Sequence, residues 1–211
     1  MTTTTTRTHT PTDAVARRAR LAVAGGALWA LSSGAWAAAD LEAQPVGSPS
    51  FVAVALSWWI FMVLPPVLLV AGHAALLSSL GPAAGRAGTV GVVTAATGLG
   101  AMGLGIGIEV ASMTFGGGEV PAGHAILLIG FLVGVVGALL TGITVLRRRR
   151  DGLSRIAGWL LVLAFPLGVG VGLVGNLLLG ENDAVFWAAL TLPTGIAWLL
   201  LGRSLSVRSA S

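Results

Sequence analysis

The chain has 211 residues, of which 55% are hydrophobic and only 9% are charged, and its mean hydropathy is +0.90. Soluble domains carry about 25% charged residues, so this composition excludes an ordinary water-soluble surface and requires lipid to cover much of the chain. The net charge of +4 does not indicate nucleic-acid binding, because the arginines stand in short clusters beside apolar runs. The absence of cysteine excludes disulfides, thiolate metal sites and cysteine nucleophiles.

The chain begins with a polar tail followed by an apolar run. Residues 1–20 are rich in threonine and arginine, and we expect a disordered cytoplasmic tail there. The run 21–39 is long enough to cross a membrane, since about 20 helical residues span the hydrocarbon core. Small residues recur every four positions in this run, at Ala22, Gly26, Ala30 and Gly34. Such a stripe favours a span that packs against other helices.

A cleaved signal peptide is the alternative interpretation of this run. It has a basic start, an apolar middle and small residues at positions 37–39, before Asp40, that resemble a cleavage site. The apolar region is longer than the usual 7–15 residues or so, which favours a retained span. Both interpretations stay open at the level of the sequence.

The second and third apolar runs are expected to form spans at 51–80 and 89–111. Pro65 and Pro66 interrupt the second run, and because proline has no N–H we expect a kink there. The third run is rich in glycine and contains a GxxxG pair at Gly103 and Gly107, which predicts a closely packed neighbour.

Three further runs complete the pattern, at 124–146, 156–180 and 185–202. Pro166 and Pro193 lie inside the last two, and we expect a kink at each. The segments 58–65 and 186–193 share an aromatic pair, five further residues and a proline, which leaves an internal duplication open. Residues 204–211 form a short polar tail.

The arrangement of charge predicts the orientation of these runs. Short arginine-rich loops stay on the cytoplasmic side, which places the cluster 147–150 inside. With six spans, every arginine then lies on the cytoplasmic side, and most acids lie outside. The outer acids are Asp40, Glu42, Glu109, Glu119, Glu181 and Asp183. We therefore predict an all-α polytopic bundle of six transmembrane helices, covering 21–203, in the cell membrane with both termini cytoplasmic.

Few polar residues lie within the runs, and each has a structural explanation as well as a functional one. Glu109 is expected near the outer edge of the hydrocarbon, as an interfacial carboxylate or as a proton or cation site partnered by His124 or Asn176. His73 is expected near the opposite interface from His124, which argues against a haem held by both. We find no metal-ligand spacing, no catalytic constellation and no cofactor motif.

Three classes of function remain open from the sequence. A non-enzymatic accessory, scaffold or regulatory membrane subunit fits the many small-residue faces, which also suit homo- or hetero-oligomers. A small transporter or channel, with a path near the proline kinks, is the alternative. An intramembrane enzyme or electron carrier is disfavoured by the missing constellation. The lipid bilayer is the expected partner, and nucleic acid is not.

Overall fold

The computed structural model describes residues 11–38, 41, 43–115, 117–118, 120–179 and 183–208. These residues form helices and connecting turns, with no strand among them. A five-residue π-helix, Trp59–Val63, joins α2 to α3, and a 3₁₀ turn, Gly81–Ala84, joins α3 to α4. The α-helices are α1 (Pro11–Ala38), α2 (Pro49–Trp58), α3 (Leu64–Leu80), α4 (Gly85–Thr114), α5 (Pro121–Arg148), α6 (Gly152–Leu179) and α7 (Asp183–Arg208).

Four stretches of the described chain are long and apolar enough to cross a membrane: Pro49–Thr114, Pro121–Arg148, Gly152–Gly175 and Ala184–Val207. The predicted all-helical architecture is confirmed, and its apolar helices are compatible with an integral membrane protein. The first stretch is 66 residues long. A straight helix of that length would measure about 100 Å, roughly three times the hydrocarbon thickness.

The 66-residue stretch folds back on itself at its 3₁₀ turn. Gly81 and Gly85 flank this turn with φ of 51° and 65°, values that favour glycine because it has no Cβ. Beyond the turn, Gly103 of α4 lies against Pro66 of α3, and Gly107 lies near Val63. The α3 and α4 helices therefore run antiparallel, as a hairpin.

The helices close into a ring, in which α2, the π-helix and α3 act as one unit. Around the ring the order is α1, α7, α6, α5, α4 and α3, which contacts α1 again. Neighbouring helices run antiparallel throughout. We call this arrangement the helix ring.

Glycines bring the ring's backbones close together. A methyl group added at Gly26 of α1 would lie 2.6 Å from the carbonyl oxygen of Gly195 in α7. A methyl group at Gly91 of α4 would lie 2.7 Å from Cβ of Leu140 in α5. Lipid competes equally for apolar surface, so membrane helices associate mainly through such close van der Waals packing.

The proline pair is accommodated by the π-helix. Pro65 and Pro66 have no N–H to donate, and the N–H of Leu64 just before them bonds the carbonyl of Trp59, five residues back. The α6 and α7 helices continue through Pro166 and Pro193. The bends expected at these two prolines stay predictions.

The helices at both ends of the chain extend further than the hydropathy pattern indicates. α1 begins at Pro11, so residues 11–20, expected as a disordered tail, are helical, whereas residues 1–10 lie outside the described chain. Ala19 is fully buried against Gly202 of α7. The C-terminal tail expected from residue 204 is likewise helical as far as Arg208, with Leu205 buried. Contact between the two helices explains both extensions.

Candidate functional site

A cavity of about 80 Å³ lies inside the helix ring. Every unit of the ring contributes to its lining, through Trp29 of α1, Leu69 of α3, Met102 of α4, Phe131 of α5, Phe165 of α6 and Thr191 of α7. The cavity lies at the level of the proline residues, since Phe165 precedes Pro166 and Thr191 lies two positions before Pro193. We call it the central cavity.

Two threonines of α7 are among the residues that line the central cavity. The hydroxyl of Thr194 accepts a hydrogen bond from the indole N–H of Trp29 at 3.0 Å and donates to the carbonyl of Leu190 at 2.7 Å. Thr191 is only 3% exposed, and its hydroxyl has no hydrogen-bond partner among the described residues. A buried hydroxyl without a partner costs roughly 1–3 kcal/mol.

Aromatic side chains form one wall of the central cavity. The ring centroids of Phe131 and Phe165 lie 6.5 Å apart across the seam between α5 and α6, and Phe131 lies 5.7 Å from Trp187 of α7. Phe165 is 39% exposed, so this wall also faces the outside of the bundle. Elsewhere on the same seam, the backbones approach closely at Gly142 and Gly158.

A second concave site lies on the outside of the bundle. It is a groove of about 440 Å³ between α4 and the unit formed by the π-helix and α3. A row of glycines, Gly100, Gly103 and Gly107, lines it, together with the exposed side chains of Val67 and Leu104. We call it the glycine groove.

The glycines of the groove differ in what surrounds them. A methyl group at Gly103 would lie 2.8 Å from Cβ of Pro66, so this position is used for packing within the hairpin. Methyl groups at Gly100 and Gly107 would meet only Val70 at 4.0 Å and Val63 at 3.7 Å, which are ordinary contacts. Most other glycines in small-residue stripes pack closely against a neighbouring helix of the ring, whereas Gly100 and Gly107 have open space beside them.

Glu109 is buried among other residues of the bundle, near the start of α5. It is 8% exposed, and its Oε2 accepts a hydrogen bond from the N–H of Val120 at 3.4 Å, at the start of α5. Its Oε1 lies beside Gly123 and has no hydrogen-bond partner among the described residues. The positive end of a helix dipole favours a carboxylate in this position.

Of the two proposed partners of Glu109, only His124 has a described side chain. His124 has an exposed side chain, and the described bond to Glu109 comes from the backbone of Val120 instead. The side chain of Asn176 lies outside the described residues.

His73 is a packed residue of the ring. Its Nδ1 lies 2.8 Å from the carbonyl oxygen of Leu69, and its ring centroid lies 4.1 Å from that of Trp198. His73 is 2% exposed, whereas His124 is exposed at the start of α5. The two histidines therefore occupy separate environments.

Two sets of polar contacts, which the sequence pattern does not reveal, lie at the end of the ring that carries the arginines. Asp151 Oδ1 accepts hydrogen bonds from the N–H of Ser154 at 2.9 Å and from the hydroxyl of Ser204 at 3.0 Å. Arg149 is 6% exposed and donates to the hydroxyl of Ser79 at the end of α3. The serines gave no signal in the sequence, because isolated serines are common in helices.

The described residues contain no group of three or more His, Cys, Asp or Glu side chains placed to hold a metal ion. The central cavity and the glycine groove are two features of the described structure with room for another molecule, one inside the ring and one outside. No protein-family model, curated protein or solved structure matches this chain.

Proposed function

We propose that this chain is a non-enzymatic protein of the cell membrane that acts as an accessory, scaffold or regulatory subunit by binding another transmembrane helix. The observation that carries the proposal is the glycine groove, whose Gly100 and Gly107 face open space on the outside of the bundle. The partner helix belongs either to a second copy of this chain or to another membrane protein.

We further propose that the helix ring crosses the bilayer six times, with both termini cytoplasmic. The α3–α4 hairpin supplies two crossings within the 66-residue apolar stretch. The apolar part of α1 supplies another, since α1 has 28 residues and a helix of that length measures about 42 Å. The clustering of the arginines on one side of such a layout supports this orientation.

The shape and chemistry of the glycine groove suit a helix. Small residues in a row let the backbone of a second helix approach closely, which strengthens van der Waals packing and weak Cα–H···O contacts. The described residues that line the groove are apolar or glycine. A partner helix would cover Leu104, which is 59% exposed, and Val67, which is 60% exposed.

Disulfide cross-linking in native membranes tests this proposal. The chain has no cysteine, so a Leu104→Cys variant carries a single thiol, placed in the groove. The matched control is Leu163→Cys, on the α6 surface away from the groove, where leucine is 42% exposed. We expect oxidant to convert Leu104→Cys into one discrete cross-linked species. Equal or weaker cross-linking than Leu163→Cys would overturn association of two copies of this chain through the glycine groove.

A small transporter is the second candidate, and the central cavity is the observation that favours it. The cavity lies at the level of the prolines, where the transport hypothesis expects a solute path. Its described lining contains no ionisable side chain, so a neutral solute suits it better than an ion. Uptake of neutral solutes by liposomes containing the purified chain, compared with empty liposomes, tests this candidate.

A further inference from the structure

We propose that the central cavity holds the end of one unbranched acyl chain of a membrane lipid, which enters between α5 and α6 from the leaflet on the side away from the arginine cluster. The inference rests on the proposed crossing of the bilayer by the helix ring. It is independent of the proposed helix partner, because the cavity lies inside the ring and the glycine groove lies outside it. The depth of the cavity, the side on which it opens, its size and its lining carry the inference.

The central cavity lies at the depth of the middle of a bilayer. Phe131 lies ten residues from Pro121, where α5 begins, which places it about 15 Å along the helix. Trp29 lies nine residues from Ala38, where α1 ends, which gives about 14 Å. The hydrocarbon core is about 30 Å thick, so both distances correspond to about one leaflet. The methyl ends of the acyl chains of that leaflet therefore lie at the level of the cavity.

The cavity is partly open, and it opens at the seam between α5 and α6. Phe165 is the most exposed of the side chains that line it, at 39%, and its ring centroid lies 6.5 Å from that of Phe131 across the seam. Leu128, one turn of α5 further from the arginine cluster, is 45% exposed. Towards the arginine cluster the seam is closed, because a methyl group at Gly142 would lie 2.8 Å from the carbonyl oxygen of Gly158. An acyl chain therefore enters from the opposite leaflet.

The size of the cavity selects a narrow chain. The cavity measures about 80 Å³. An engineered apolar cavity of about 150 Å³ binds benzene, and a water molecule takes about 30 Å³ in the liquid. The central cavity is therefore too small for an aromatic ring or a sterol, and it takes about three non-hydrogen atoms in a row. The end of an unbranched acyl chain has this shape.

The lining favours hydrocarbon over water. The hydroxyl of Thr194 is already bonded to Trp29 and Leu190, and that of Thr191 has less than 1 Å² of accessible surface. A buried water needs about 2–4 polar partners, which these two hydroxyls do not supply. Met102 and the aromatic wall supply apolar surface. An empty cavity leaves that surface without neighbours on one side, whereas an acyl chain restores the lost dispersion contacts.

Photo-crosslinking of the full chain in liposomes provides the measurement. The liposomes contain phosphatidylcholine with a diazirine at the methyl end of one acyl chain, and mass spectrometry maps the adducts to residues. Met102 and Trp198 line the cavity and are only 4% and 3% exposed, so lipid on the outside of the bundle does not reach them. We expect adducts on both residues. Leu132, which is 60% exposed, reports ordinary contact with the surrounding lipid.

Two comparisons make the labelling specific to the cavity. Trp58 is also buried, at 6% exposed, but it does not line the cavity and should carry no adduct. Ala164→Leu fills the cavity from α6, so it should abolish the adducts on the two cavity residues and leave that on Leu132 unchanged. The matched control is Leu163→Ala, on the outer surface of the same helix, which should leave all the adducts in place.

A second lipid tests the depth of insertion. It carries the diazirine next to the ester of the acyl chain, close to the headgroup. Because only the methyl end of the chain reaches the cavity, this lipid should leave Met102 and Trp198 without adducts.

The proposal is overturned by adducts on Met102 that are no more frequent than those on Trp58, or by cavity adducts that persist in Ala164→Leu. A chain labelled at Leu132 but at neither cavity residue would also overturn it, and would leave the helix partner to the cysteine cross-linking test. Absence of labelling at Leu132 as well would overturn the bilayer crossing on which the inference rests. If Ala164→Leu does not fold, the comparison of Met102 with Trp58 in the original chain still decides the question.

Discussion

The indole N–H of Trp29 donates a hydrogen bond to the hydroxyl of Thr194 at 3.0 Å, across 165 positions of sequence. This bond joins the first helix of the described chain to the last and closes the helix ring beside the central cavity. Removing it by Trp29→Phe should lower the free energy of unfolding by about 1–3 kcal/mol, through the lost hydrogen bond and the space left by the smaller ring. Trp159→Phe is the control, because Trp159 is 52% exposed and should change little. Unfolding in detergent by denaturant titration measures both.

The close approach of α1 to α7 should tolerate no side chain at Gly26. A methyl group there would lie 2.6 Å from the carbonyl oxygen of Gly195, so Gly26→Ala must push the helices apart. We expect a loss of about 1–3 kcal/mol in stability, the usual cost of overpacking. Gly34→Ala, in the same helix, meets nothing within 4 Å and should be neutral or slightly stabilising. Equal effects of the two variants would contradict the described α1–α7 contact.

Bulky side chains in the glycine groove should block association without unfolding the bundle. Gly100→Ile, combined with Leu104→Cys, should reduce disulfide cross-linking about 10-fold, because the added side chain fills the space offered to a partner helix. Gly170→Ile is the matched control, since Gly170 is exposed on α6 and meets nothing within 4 Å. Undiminished cross-linking in Gly100→Ile would show that the partner does not contact the groove.

The role of Glu109 is testable by separating its charge from its hydrogen bond. Glu109→Gln keeps an oxygen that accepts from the N–H of Val120, whereas Glu109→Leu removes the acceptor. We expect Glu109→Leu to destabilise the protein by about 1–2 kcal/mol and Glu109→Gln to change stability much less. Thermal unfolding of both variants in the same detergent measures the difference. A Glu109→Gln variant as unstable as Glu109→Leu would indicate that the charge itself is needed.

The orientation of the bundle is testable with single cysteines and a membrane-impermeant maleimide. Gly118→Cys, in the α4–α5 connection, should be labelled in intact cells, because that connection is predicted to lie outside. Arg150→Cys, in the arginine cluster, should be labelled only after the cells are permeabilised. Both positions are exposed in the described structure, so a difference in labelling reports their side of the membrane. Labelling of Arg150→Cys in intact cells would reverse the proposed topology.

Several features of the fold could be predicted from short-range patterns. Long apolar runs in a chain with 9% charged residues predict membrane helices, because a backbone in lipid must satisfy its own hydrogen bonds. The second and third apolar runs were expected to end at residue 80 and begin at residue 89; the structure has a 3₁₀ turn at Gly81–Ala84 and α4 is helical from Gly85. The π-helix just before Pro65 and Pro66 had no signal in the sequence, because a proline predicts a lost hydrogen bond but not how the backbone accommodates it.

The candidate sites were much less predictable. The burial of Glu109 against the start of α5 was not visible in the sequence, because the path of the α4–α5 connection decides its environment. Thr191 attracted no attention in the sequence, since a lone threonine in an apolar helix usually bonds its own backbone. The central cavity had no signal in the sequence either, because six separate units of the ring line it.

The sequence by itself determined that this is a helical protein with membrane character, because composition and hydropathy are local properties that need no partner. Only the tertiary structure decided which helices are neighbours, that α1 closes the ring against α7, and that a cavity remains at the centre. The physical reason is that every membrane helix here is apolar on most faces. Contact with lipid or with another helix then stabilises an apolar side chain by nearly the same amount. Close packing at small residues, such as Gly26 of α1 against Gly195 of α7, therefore decides which helices become neighbours.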